Sequence, residues 1–191
     1  VLLAREALAK ADAVEAIARL HSASNPPASL SEAMHLLANR SMIDYWLGRA
    51  HAAAGDSTAA AAHWERAARQ RSDFQQMQVQ PVSEMTYWSA LALKEIGHKE
   101  EAATLFERIC TYGRELEQQE PKIDYFATSL STMLLFEEDA VLRHKVVGQF
   151  LQAQAMLGLG KRQEASTLLH EVLKLDRNYA PALDLAAEST D

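Results

Sequence analysis

The sequence predicts an all-α fold built from paired helices, and three observations support this. The chain has 34 alanines and 25 leucines but only 8 valines and 5 isoleucines; alanine and leucine favour helices, whereas β-branched residues favour strands. Glycine and proline number 7 and 5, which is few for a chain of 191 residues with many tight turns. Finally, helical patterns recur on both sides of a glycine. We therefore expect one helical domain over residues 1–191.

The charge pattern excludes two classes of partner. The chain has 19 basic and 26 acidic residues, a net charge of −7 without long single-sign blocks. Nucleic-acid binders carry a basic stripe because phosphate neutralisation supplies much of their affinity, and anionic membrane surfaces also attract basic segments. No apolar run approaches the roughly 20 residues that span a bilayer. We expect neither nucleic acid nor membrane as a partner.

The N-terminal helix is predicted over residues 2–21, as an alanine-rich amphipathic segment that ends before Asn25-Pro26-Pro27. The chain begins inside this pattern, without an initiator methionine or the features of a signal peptide. We interpret the chain as a piece of a longer protein and expect a cytoplasmic location. An irregular stretch follows, from Pro26 to Asn39.

Three glycines, Gly55, Gly97 and Gly160, each separate two helical patterns. The predicted helices before them are Ile43 to Ala54, Thr86 to Ile96 and Val146 to Leu159. Those after them are Ser57 to Arg69, Lys99 to Tyr112 and Arg162 to Leu175. Each glycine is suited to end the first helix in a left-handed conformation.

Small and large residues recur at fixed distances from each glycine. Seven residues before it stand Gly48, Ala90 and Ala153; five after it stand Ala60, Ala102 and Ala165; nine after it stand Trp64, Phe106 and Leu169. Small residues allow two antiparallel helices to approach closely, and the bulky residues fill the remaining groove. The recurrence predicts three helix pairs, at approximately 41–74, 83–116 and 146–179.

The pairs are separated by inserted segments. Gly55 and Gly97 are 42 residues apart, and Gly97 and Gly160 are 63 apart. The first insertion is a polar, glutamine-rich connection from Ser72 to Pro81. The second, residues 117–140, contains a predicted helix from Lys122 to Phe136. Both contain enough apolar residues to pack against the helix pairs. Residues 180–188 are expected to form a C-terminal capping helix.

This pattern resembles the tetratricopeptide (TPR) repeat, which reads W-x2-L-G-x2-Y and then A-x3-F over 34 residues. The best match comprises Leu47-Gly48, Gly55, Ala60 and Trp64, and Gly158 to Leu183 also matches. The resemblance implies a right-handed α-solenoid of about three repeats with inserted and flanking helices.

A narrower resemblance covers residues 32–185. The segments EAMHLLANRSMIDYWLG, SDFQQMQVQPVSEMTYWSALAL and KIDYFATSLSTMLLFEED look like the C-terminal TPR region of large bacterial proteins. Those proteins carry a domain of unknown function whose upstream portion is β-rich and resembles carbohydrate enzymes. The resemblance implies a tail module and supplies no catalytic residues.

Candidate binding residues lie on the first helix of each pair. Tyr45, Tyr87 and Phe150 stand one residue after the usual aromatic position, and one residue rotates a helical side chain by about 100°. They form either an aromatic ladder in an open groove or part of the core. Arg49 lies four residues after Tyr45, on the same face. Polar contacts at the rim are expected from Arg49, Lys94 and Gln154.

No nucleotide-binding loop, nucleophile elbow or metal motif is present in the sequence. The seven histidines form no H-x3-H pair; His51 and His63 flank the Gly55 turn, but two ligands make a poor metal site. We therefore predict a non-catalytic module without cofactor or metal. Its partner would be a peptide, a protein, or upstream domains of the same polypeptide. The alternatives are an accessory domain of a bacterial carbohydrate-active enzyme, which contributes to sugar binding or domain packing, and a homodimerisation module.

Overall fold

The computed structural model describes residues 1–25, 38–70, 72–75, 78–120 and 140–189. The described residues form nine helices and one β-hairpin: α1 (Leu2–Ala9), α2 (Ala13–Ser24), α3 (Ser41–Ala53), α4 (Ser57–Arg69), β1 (Asp73–Gln75), β2 (Gln78–Gln80), α5 (Thr86–Glu95), α6 (Lys99–Gln118), α7 (Ala140–Gly158), α8 (Arg162–Leu175) and α9 (Ala180–Ser189). The prediction of a mostly helical fold is confirmed. The helix predicted from Lys122 to Phe136 and most of the irregular stretch from Pro26 lie outside the described residues.

The chain divides into two compact units, Val1–Leu105 and Phe106–Asp191, whereas the sequence predicts one domain over residues 1–191. In the first unit α1 packs on α2 and α3, α2 on α3, and α3 on α4 and α5. In the second unit α7, α8 and α9 pack on one another. Helix α6 begins in the first unit and ends in the second.

Four helix pairs are each connected by a turn of the same type: pair 1 (α1–α2), pair 2 (α3–α4), pair 3 (α5–α6) and pair 4 (α7–α8). In each, one residue has a positive φ, which we call the turn residue: Ala11 (59°), Gly55 (84°), Gly97 (87°) and Gly160 (81°). The next amide donates to the carbonyl five residues earlier, at 2.9 Å from Asp12 to Ala7 and 2.9 Å from Asp56 to His51. This hydrogen bond is the Schellman motif, which satisfies the last carbonyls of the first helix.

The single N-terminal helix predicted over residues 2–21 is wrong, because the chain turns at Ala11 and forms two helices. Asp12 caps the second helix by accepting a hydrogen bond from the Glu15 amide at 3.0 Å. Alanine rarely adopts a positive φ, which costs an L-residue roughly 1–2 kcal/mol. The expected glycine is absent, so the sequence pattern conceals this pair.

The small and large positions of all four pairs are occupied as the pattern requires. In pair 1 they are Ala4, Ala16 and Leu20, all fully buried. In pair 2 a Cβ atom on Gly48 would lie 2.3 Å from Trp64 Nε1, so only glycine fits opposite this indole. In pairs 3 and 4 the corresponding residues are also buried: Ala90, Ala102, Phe106, Ala153, Ala165 and Leu169.

Two glycines bring α6 and α7 into backbone contact in the second unit. A Cβ on Gly148 would lie 2.6 Å from the Gly113 carbonyl oxygen, and a Cβ on Gly113 would lie 2.6 Å from the Gly148 carbonyl oxygen. Beside this crossing, Gln149 Nε2 donates to Glu117 Oε2 at 3.3 Å, and Gln152 Nε2 also donates to Glu117. Helix α6 therefore extends to Gln118 rather than ending at Tyr112, and α7 begins at Ala140.

The polar connection predicted from Ser72 to Pro81 contains the antiparallel hairpin of β1 and β2, in which Phe74 pairs with Val79. The backbone N–H of Asn39 donates to Asp73 Oδ1 at 2.9 Å and links the hairpin to the start of α3. The Asp73 side chain is buried and supplies the acceptor that this amide needs.

Candidate interaction surface

The three rings of the predicted ladder are buried. The exposed fractions of Tyr45, Tyr87 and Phe150 are 5%, 6% and 2%. Tyr45 and Tyr87 belong to the first unit, and Phe150 belongs to the second. The expectation that these rings line an open groove is therefore wrong, and the alternative interpretation, core packing, agrees with their burial.

Neighbouring rings cover the two tyrosines. The centroids of Tyr45 and Trp88 are 5.4 Å apart, and those of Tyr87 and Trp88 are 5.2 Å apart. Trp46 completes the cluster at 5.9 Å from Trp88. Phe150 lies edge-on to Tyr179, with centroids 5.3 Å apart. Aromatic pairs at such distances and tilts pack favourably, so the displaced ring position stabilises helix contacts.

Trp46 is the half-buried member of the aromatic cluster and lies between two arginines. The guanidinium carbon of Arg5 lies 5.2 Å from the Trp46 ring centroid, and that of Arg49 lies 5.8 Å from it. Both arginines stand six residues before the turn residue of their pair, so they occupy the same position in pairs 1 and 2. Cations over an indole face are attracted by its negative potential.

The Trp46 indole nitrogen is buried and has no hydrogen-bond partner within the part of the chain that the structure describes. Arg5, Trp46 and Arg49 together form a surface, called here the Trp46 surface, on α1 and α3. Sequence reasoning found Arg49 but missed Arg5, because Arg5 belongs to the pair concealed by Ala11.

The Tyr45 hydroxyl links α3 to α5. Arg49 Nη1 donates to this hydroxyl at 3.3 Å, and the hydroxyl donates to Glu95 Oε1 at 3.4 Å. Burial raises the pKa of Tyr45, and the hydrogen bond from Arg49 opposes this only in part. The hydroxyl is therefore protonated at neutral pH and fixes the position of Arg49 on the surface.

The other two predicted rim residues lie in different environments. Lys94 is exposed on α5, and its place on a rim stays a prediction. Gln154 is 3% exposed on α7, so the prediction that it contributes to a rim is wrong. The hydrophobic pattern of α7 does not distinguish its faces, because buried residues surround the helix from Phe150 to Met156.

His51 and His63 converge, as their places beside the Gly55 turn suggested. Their rings stack with centroids 5.2 Å apart and planes 15° apart. His63 Nδ1 lies 3.1 Å from Asp44 Oδ1, which also accepts from Arg66 Nε at 3.2 Å. Burial lowers the pKa of His63, and the hydrogen bond to Asp44 opposes this shift.

Stacked imidazoles cannot share an ion, because a metal binds in the plane of each ring. Among the described residues no group of three or more His, Cys, Asp or Glu side chains is placed to hold a metal ion. Asp44 is the hydrogen-bond partner of His63 and Arg66 in this cluster. The spacing of the histidines in the sequence does not reveal this partner.

Comparison with known proteins adds no relative. No protein-family profile, curated protein or solved structure matches the chain. None of the helices in the described ranges is long and apolar enough to cross a membrane.

Proposed function

We propose that the chain is a non-catalytic, TPR-like module that docks another protein or another part of its own polypeptide. The observation that carries this proposal is the fourfold recurrence of one turn and one packing pattern, in Ala11, Gly55, Gly97 and Gly160 and the residues around them. Repeats of this kind present successive first helices side by side, and such surfaces serve binding.

The Trp46 surface is the proposed contact region in the first unit. It combines an indole, two guanidinium groups and the exposed edge of α3, and Trp and Arg are the residues most enriched in binding hot spots. Tyr45 and Tyr87 support the surface from below as core residues. Arg49 is its exposed member and therefore the residue to change first.

The test is affinity capture from a lysate of the source organism, followed by binding measurements with each captured protein in purified form. We expect Arg49→Glu to weaken a genuine complex at least tenfold, because the change reverses the charge at the centre of the contact. Lys174→Glu on α8 is the matched control, since Lys174 is exposed and pairs with Glu171, three residues earlier on the same helix, at 2.7 Å.

Equal thermal unfolding midpoints for the two variants show that neither change acts through folding. The proposal is wrong if every captured protein binds Arg49→Glu as tightly as it binds the unmodified chain. Retained binding to Lys174→Glu, together with lost binding to Arg49→Glu, supports it.

A further inference from the structure

A groove of about 580 Å³ lies between α4, α5 and the start of α6, within the first unit. Its lining residues are Glu65, Ala68, Arg69, Leu93, Ile96, His98 and Glu101. None of them belongs to the Trp46 surface. The volume falls within the range of ordinary ligand and side-chain pockets.

The floor of this groove is apolar. Ala68 and Leu93 are 4% and 2% exposed, and Ile96 beside them is half-buried. Ala68 of α4 and Leu93 of α5 thus underlie the floor, and Ile96, the residue directly after α5, supplies most of its accessible apolar surface.

The rim of the groove is acidic. Glu65 pairs with Arg69 at 3.1 Å, and Glu101 lies 3.3 Å from His98. Two carboxylates, Glu65 and Glu101, therefore stand on the rim beside one guanidinium group, that of Arg69. Residues 78–120, which supply α5 and α6, contain eight acidic and four basic residues.

The equivalent place between pairs 1 and 2 lacks both properties. Counted from the turn residues, His51 and Ala54 stand where Leu93 and Ile96 form the floor. Likewise, His21 and Ala59 replace the two rim carboxylates, Glu65 and Glu101. The repeat architecture alone therefore does not produce an apolar floor with an acidic rim.

We propose that this groove docks a basic amphipathic segment of a partner protein. A Leu- or Ile-sized side chain of the segment packs on Ile96, and flanking Lys or Arg side chains reach Glu65 and Glu101. The net charge of −7 on the chain attracts such a segment from a distance and raises its association rate.

The test uses a fluorescein-labelled twelve-residue peptide of alternating pairs of lysine and leucine, with a glutamate–leucine peptide of the same pattern as the comparison. Fluorescence anisotropy is measured at about 50 mM and about 500 mM salt, because screening distinguishes charge-dependent binding. We expect the lysine–leucine peptide to bind, and its affinity to fall at least tenfold in the Glu65→Gln/Glu101→Gln variant.

The matched control is Glu164→Gln/Glu171→Gln, which removes two exposed carboxylates from α8. Its net charge equals that of the Glu65→Gln/Glu101→Gln variant. We expect its affinity to stay within twofold of the unmodified chain. Ile96→Ser tests the floor separately and should weaken binding at least fivefold at both salt concentrations. The proposal is overturned by absence of binding, by equal losses in the two charge variants, or by equal binding of the glutamate–leucine peptide.

The Trp46 surface and the groove are tested by different variants. Arg49→Glu leaves the groove unchanged, and Glu65→Gln/Glu101→Gln leaves the Trp46 surface unchanged. Each experiment can therefore contradict one proposal and leave the other proposal standing.

Discussion

Pairs 1 and 2 reach the same local structure from different residues. The turn residue is Ala11 at φ 59° in pair 1 and Gly55 at φ 84° in pair 2, yet the hydrogen bond that closes both turns measures 2.9 Å. The small and large partners also differ, since pair 1 uses Ala4 with Leu20. The repeat is thus defined by turn geometry and by complementary side-chain sizes, and residue identity follows from these.

The largest expected change in the free energy of unfolding comes from the small residue of pair 2, Gly48. Gly48→Ala places a Cβ against the Trp64 indole at 2.3–2.8 Å and should destabilise the chain by about 1–3 kcal/mol through overpacking. Trp64→Leu in the same chain recreates the alanine–leucine combination of pair 1. We expect this second change to recover most of the loss, measured by urea unfolding.

A double-mutant cycle over Gly48 and Trp64 gives the coupling directly. Ala4→Gly is the control in pair 1, where the small residue already carries a Cβ. It should cost about 1–2 kcal/mol, from the penalty for glycine in a helix together with the loss of one buried methyl group. If Gly48→Ala and Trp64→Leu were simply additive, the size-complementarity explanation of the repeat would be wrong.

Substitution of the turn residues should change the free energy of unfolding by less, and the change should have opposite signs in the two pairs. Gly55→Ala should destabilise by about 1 kcal/mol, because the backbone stays left-handed and nothing else lies within 4 Å of the added Cβ. Ala11→Gly should stabilise by a similar or smaller amount, since it relieves the same strain but adds unfolded-state entropy. Thermal and urea unfolding of the two variants measure both changes.

The three glycine turns were predictable from sequence, whereas the alanine turn was not. Glycine adopts a positive φ without strain, so the sequence alone indicates the turns at Gly55, Gly97 and Gly160. At Ala11 the available signals were Asp12 and Glu15, which form a capping pattern in the middle of an apparent helix. Alanine-rich flanking sequence outweighed this signal, because each alanine favours continued helix.

The hairpin and the site were less predictable, for related reasons. β1 and β2 are three residues each, too short for an alternating pattern, and one of their anchors is the distant Asn39 amide. The sequence places Tyr45, Tyr87 and Phe150 at the same distance before each glycine turn. Their burial depends on the facing residue Trp88 and on neighbouring helices, which a pattern within one helix does not reveal.

The smallest predicted effect concerns pH and is confined to pair 2. His63 stands eight residues after Gly55, and the equivalent residue of pair 1 is Arg19. Because burial lowers the pKa of His63, the unfolded chain binds this proton more tightly than the folded chain does.

Its contribution to stability is therefore fully present above the ordinary histidine pKa of about 6.5 and is lost as pH falls through the folded-state value. Urea unfolding of His63→Gln between pH 7.5 and pH 5 should show a flatter decline than the unmodified chain shows. His21→Gln, on the exposed face of α2, should keep the full decline. An unchanged slope in His63→Gln would mean that the hydrogen bond to Asp44 offsets the whole effect of burial on the pKa of His63.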